Sequence, residues 1–66
     1  MINVALFGFG RIGQMHAQNL TKYKEVKLLY VYDKSIQLCN KAKKLYKCKF
    51  EKNYIDIFKD KNVDII

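Results

Sequence analysis

The sequence has 66 residues, half of them hydrophobic, with 13 basic against 6 acidic side chains and a net charge of +7. A chain of this size buries only about 60% of the surface it exposes when unfolded, close to the lower bound of independent folding. Its composition is too apolar for a disordered segment, and no apolar run approaches the ~20 residues needed to span a membrane as a helix.

The opening residues, Met1-Ile2-Asn3-Val4, have neither the basic stretch nor the cleavage site of a secretory signal, so a cytoplasmic location is expected. Asn3 to Gly8 is a short, nearly continuous apolar run, as a strand covered on both faces reads. A glycine turn follows. Ile12, Met15, His16, Leu20 and Tyr23 then recur at helical spacing and predict an inward stripe on a first helix, with His16 packed or hydrogen-bonded. Thr21 to Glu25 is the polar exit. Val26 to Tyr32, rich in β-branched and aromatic residues, predicts a second strand stopping at Asp33.

Ser35 is placed to cap a second helix with Leu38, Cys39, Ala42, Leu45 and Tyr46 on its inner face. Lys41, Lys43, Lys44 and Lys47 fall on its outer side and in its exit. With Lys49 they form the densest run of lysines. No nucleic-acid motif accompanies them, so they read as solvated charge; neither nucleic acid nor membrane is expected as a partner. Cys39 and Cys48 are too few for a disulfide scaffold or a metal site and read as reduced thiols in or near the core. Cys48 to Phe50 predicts a short third strand. Asn53 with Asp56 resembles a capping box opening a short helix through Phe58. Asp60-Lys61-Asn62 turns the chain into Val63 to Ile66, an apolar run that stops without a closing turn. The chain therefore reads as a fragment or a gene product cut short rather than as a finished domain. Tyr30, Tyr32, Tyr46 and Tyr54 read as core or surface packing rather than as stacking platforms.

Alternating strands and helices with short links imply parallel pairing through right-handed crossovers. The fold class is α/β, a Rossmann-type three-layer fold with a parallel sheet, of which this is the N-terminal β-α-β-α-β-α-β portion. Its first strand should lie between the second and the fourth.

Gly8-Phe9-Gly10-Arg11-Ile12-Gly13 matches Gly-x-Gly-x-x-Gly after a strand and before a helix, and Asp33 stands twenty positions after Gly13 at the end of the next strand. Gly8 would permit the tight turn, Gly10 the close approach of a pyrophosphate, and Gly13 the packing of helix on strand. The amides of Arg11 and Ile12 would donate to the phosphates, and the Arg11 side chain would add positive charge. Asp33 would accept from the adenosine ribose hydroxyls and repel a 2′-phosphate. NAD is accordingly expected over NADP, although Lys34 beside it could accommodate that phosphate. The candidate cofactor residues are Gly8, Phe9, Gly10, Arg11, Ile12, Gly13, Asp33 and Lys34; no catalytic triad, paired carboxylate or metal-ligand cluster is present. A bare structural turn, with Asp33 capping the next helix, is the competing reading.

Ala5-Leu6-Phe7-Gly8-Phe9-Gly10-Arg11-Ile12-Gly13, followed by Met15-His16-Ala17 and Leu20, resembles the start of Gfo/Idh/MocA oxidoreductases, and inositol 2-dehydrogenases in particular. Val31-Tyr32-Asp33, the segment Asn53 to Asp60, and Val63-Asp64-Ile65-Ile66 extend the resemblance along nearly the whole chain. The resemblance implies a two-domain, NAD-dependent dehydrogenase of a sugar or polyol, homo-oligomeric at full length. The family's catalytic lysine, aspartate and histidine lie after its fourth strand, at positions this sequence does not include. Two alternatives are a non-enzymatic NAD-sensing domain and a glyceraldehyde-3-phosphate dehydrogenase-like cofactor domain. The latter family shares the glycine wording but has Asn in place of Phe7 and normally lacks a histidine where His16 stands.

Overall fold

A computed structural model describes residues 1–66. Strand β1 (Ile2–Phe7) pairs in parallel with β2 (Val26–Tyr32), from Ile2 opposite Val26 to Phe7 opposite Tyr32. Helix α1 (Arg11–Leu20) makes the crossover between them, as parallel pairing requires. Helices α2 (Ile36–Tyr46) and α3 (Tyr54–Lys59) follow.

The two remaining predicted strands shrink to single parallel bridges, Tyr30 with Lys49 and Val4 with Ile65. Lys49 donates its N–H to Leu29 and accepts from Val31. The left-handed residue Lys47 (φ 55°) delivers the chain to the sheet, and the polar segment 51–53 leads it away again, so one rung is all that forms. At the other edge Ala5 N–H donates to Ile65 O at 2.8 Å, and the Asn3 side chain and amide add bonds to Asn62 and Asp64. The spatial order is Lys49, β2, β1, Ile65. The first strand thus lies between the second and the fourth, as the chain order implied.

The core has two halves. Phe9, Ala17, Leu28, Val31, Ala42 and Cys48 pack together beneath α1 and α2, while Ala5, Leu29, Tyr30 and Ile57 pack on the face covered by α3. Three layers result. The four consecutive residues Leu28 to Val31 are all buried, yet they do not alternate strictly between the faces. A bulge explains this: Val4 pairs with Leu28 but Ala5 with Tyr30, so Leu29 is an extra residue and shares the α3 face with Tyr30.

The inward stripe predicted for α1 is not the one observed. Ile12, Met15 and Tyr23 are exposed at 65%, 53% and 62%, His16 is exposed, and only Leu20 is half-buried. The helix instead presents the small residues Gly13 and Ala17, one turn apart, to the strand end. Backbones this close leave no room for larger side chains, which turn to the flanks. On α2, Cys39 and Ala42 are buried with Leu38 and Tyr46 beside them, but Leu45, at the margin of that stripe, is 60% exposed. Both cysteines are free and buried, and burial pushes their thiols up. The capping box at α3 is half formed: Asn53 accepts from Ile55 N–H, while Asp56 makes no reciprocal bond.

Candidate functional site

The site begins where β1 ends. Gly8 continues the ladder by one bond, its N–H donating to Tyr32 O at 2.7 Å, and then turns with φ +98°, a left-handed conformation that favours glycine. Phe9 swings inward and is fully buried, packed edge-on to Tyr46. Both ends of its peptide are held. Its N–H donates to Asp33 Oδ2 at 2.8 Å, and its carbonyl accepts from Gln14 Nε2 at 3.2 Å. Lys41 Nζ in turn donates to Gln14 Oε1 at 3.1 Å, so α2 braces the turn through α1.

Gly10 is the N-cap of α1 and offers no side-chain cap. The first helical bond runs from Gln14 N–H to Gly10 O at 2.9 Å. The amides of Gly10, Arg11, Ile12 and Gly13 therefore find no acceptor within the chain. Unpaired donors at the positive end of a ten-residue helix are a site for an anion. The glycines have distinct roles here. A Cβ on Gly13 would stand 2.1 Å from the Gly8 carbonyl oxygen, so helix and strand touch there. A Cβ on Gly10 would meet nothing within 4 Å, and its backbone needs no glycine conformation. Nothing in the protein's own packing asks for glycine at position 10; a ligand pressed against the backbone would.

Gly8, Gly10, Arg11, Ile12 and Gly13 line one open groove of about 590 Å³ with Leu6, Phe7 and His16. Phe9 and Asp33 lock the turn from below rather than lining it, and Lys34 is exposed beside Asp33 without reaching the groove. Asp33 carries two duties: Oδ2 accepts from Phe9 and Oδ1 from Ser35 N–H at 2.8 Å. The Phe9 bond first, and the Ser35 bond second, hold its carboxyl below the ordinary value against the opposing effect of desolvation. It thus remains ionised, and its remaining lone pairs are free to accept hydroxyls. His16 is neither packed in the core nor hydrogen-bonded, contrary to the sequence expectation, but sits at the groove wall. Gln14 and Lys41 escaped sequence reading because polar residues on a predicted solvent face carry no signal of a contact across helices.

A diphosphate fits this donor set: four free amides, a guanidinium nearby and no Cβ at the point of closest approach. A nicotinamide dinucleotide would supply the hydride-exchanging ring, and the residues present would bind and orient its phosphates and ribose. The family model of oxidoreductases with an NAD-binding Rossmann fold, Gfo/Idh/MocA, matches residues 2–66. The chain belongs to the Gfo/Idh/MocA oxidoreductase family. A solved structure from Desulfitobacterium hafniense, described as a candidate NADPH-dependent oxidoreductase, is similar at TM-score 0.88 and 25% identity over 98% of this chain. The chain spans 20% of that protein's length. No curated protein matches it. In this Gfo/Idh/MocA domain no helix is long and apolar enough to cross a membrane, and no group of three His, Cys, Asp or Glu side chains is placed to hold a metal.

Proposed function

We propose that residues 1–66 hold the adenosine diphosphate half of a nicotinamide dinucleotide, NAD in preference to NADP, for a dehydrogenase of sugar or polyol hydroxyls resembling inositol 2-dehydrogenase. The observation that carries this reading is the row of free amides from Gly10 to Gly13 over a glycine that the fold itself does not require. In it, Gly10, Arg11, Ile12 and Gly13 take the diphosphate. Gly8 and Phe9 shape the turn, and Asp33 accepts the ribose hydroxyls. The substrate, and the groups that move its proton, lie outside residues 1–66.

Support for NAD comes from the ionised Asp33, which repels a 2′-phosphate, and from the family's description as NAD-binding. Support for NADP comes from exposed Lys34 and from the description of the D. hafniense structure as NADPH-dependent. The carboxylate is fixed by two backbone bonds while the lysine is free, so charge repulsion should prevail.

The test is calorimetric titration of NAD and NADP into the 66-residue chain and into Gly10→Ala. The expected result is tighter binding of NAD, a wider gap in Lys34→Ala, and loss of both ligands in Gly10→Ala with its circular dichroism unchanged. A folded chain that binds neither, or a Gly10→Ala variant that binds as well as the parent, would overturn the proposal.

A further inference from the structure

Four aromatic side chains meet at the carboxyl edge of the sheet on the face that α3 covers. Phe7 lies against Tyr32 (centroids 5.4 Å apart) and stacks on Phe58 (5.4 Å, 26°). Tyr54 meets Tyr32 edge-on at 5.9 Å and Phe58 at 6.0 Å and 89°. The cluster is not core. Tyr54 is 47% and Phe58 54% exposed, and the buried residue of the same helix is Ile57.

Chain position ties this patch to the diphosphate site at two points. Phe7 and Tyr32 are partners at the last rung of β1 and β2. The residue after Phe7 is Gly8, which opens the glycine turn, and the residue after Tyr32 is Asp33, whose carboxylate holds that turn. Phe7 itself lines the groove. A nucleotide with its diphosphate on the α1 amides and its ribose at Asp33 would carry its base next to this cluster. Tyr54 and Phe58, with ring planes at 89° and about half of each residue exposed, form an open corner. A flat base is the ligand that such a corner suits, because stacking needs only a π-face and buries apolar area without a buried polar partner. The contiguity also accounts for rings left exposed on α3 at the edge of the sheet.

We propose that Tyr54 and Phe58, outside the glycine motif, form the stacking wall for the adenine ring of the bound dinucleotide. This rests on the cofactor reading above and extends it to α3. The base is then held by its face rather than read by hydrogen bonds at its edge. Replacing the adenine by hypoxanthine should change affinity little, whereas removing a ring from the wall should change it much.

The experiment titrates ADP-ribose, NAD and nicotinamide hypoxanthine dinucleotide into the unaltered chain, Tyr54→Ala, Phe58→Ala, Tyr54→Phe and Gly10→Ala, with amide NMR shifts recorded in parallel. Expected are a loss of about ten-fold in ADP-ribose affinity for Tyr54→Ala and Phe58→Ala, retained affinity in Tyr54→Phe, and near-equal binding of the adenine and hypoxanthine dinucleotides. Shift changes at Tyr54 and Phe58 on adding ADP-ribose to the unaltered chain test the contact without any substitution. If Gly10→Ala loses ADP-ribose while Tyr54→Ala and Phe58→Ala bind it undiminished, or if those two amides do not move, the wall is rejected and the diphosphate site stands. If the folded, unaltered chain binds none of the three ligands, both readings fail.

Discussion

The three glycines of one motif answer to three different forces, and substitution separates them. Gly8 is set by backbone conformation and Gly13 by contact, whereas Gly10 is set by neither. Gly13→Ala would drive a methyl into the Gly8 carbonyl at 2.1 Å. Helix and strand would have to part, and overpacking of this kind costs about 1–3 kcal/mol. A fall of that size in urea-unfolding stability is the expected outcome; an unchanged midpoint would show that the contact gives way freely. Gly10→Ser should act in the opposite sense. Serine is a better N-cap than glycine by a few tenths of a kcal/mol, and its hydroxyl would satisfy one of the amides left free at the start of α1. Such a variant should melt slightly higher and bind NAD worse. A serine variant that loses stability, or that keeps NAD affinity, would contradict the role assigned to those amides. The motif's spacing was legible in the sequence, and so were the turn at Gly8 and the helix–strand contact at Gly13. The inward turn of Phe9 was not, because the letter x in a motif hides a core residue packed against α2.

Between elements, Asp33 ties the glycine turn to the start of α2. The structure shows its capping role, one oxygen serving the glycine turn and the other the entry to α2, and the proposed ribose contact would use the lone pairs those bonds leave. Asparagine cannot reproduce this, since its amide nitrogen would face an N–H. Asp33→Asn therefore leaves one part-buried backbone donor without a partner, at about 1 kcal/mol. The pH dependence follows from the lowered carboxyl. A group whose folded pKa is depressed stabilises fully above its unfolded value, about 3.9, and loses that contribution as pH falls through the folded one. Unfolding midpoints measured downward from neutrality should drop in this acid range for the parent and drop less for Asp33→Asn. Parallel curves would remove Asp33 from the account of the turn. A practical consequence is that loss of NAD in an Asp33 variant would mix a lost ribose contact with a loosened turn, which is why Gly10 is the cleaner probe.

At the scale of the molecule, strand order was legible because short crossovers and right-handedness leave few arrangements for alternating strands and helices. Two features were not. The bulge at Leu29 depends on which residue of β2 is skipped opposite Val4, and an unbroken apolar run carries no mark of it. The inward placing of half-buried Gly13 and buried Ala17 in place of Ile12 and Met15 follows from how closely α1 approaches β1, a tertiary distance that hydrophobic periodicity does not encode. The layer formed by α3 is the thinnest, with Ile57 alone fully buried, and it has a second attachment in Tyr30, whose hydroxyl donates to Asp60 Oδ2 at 2.5 Å across the end of that helix. The hydrogen bond to Asp60, with desolvation of the buried ring next, raises the Tyr30 phenol to about 12. Because the folded value lies above the unfolded one, about 10, this attachment contributes its full stabilisation below the unfolded value and loses it as pH rises through the folded one. Phenolate absorbance should therefore show one of the five tyrosines titrating near 12, together with a fall in stability over the interval from about 10. In Tyr30→Phe that step should vanish and the alkaline fall should flatten, while NAD binding at neutral pH persists because Tyr30 lies outside the groove. If all five tyrosines ionise together with the fold intact, α3 is held by Ile57 and its neighbours alone.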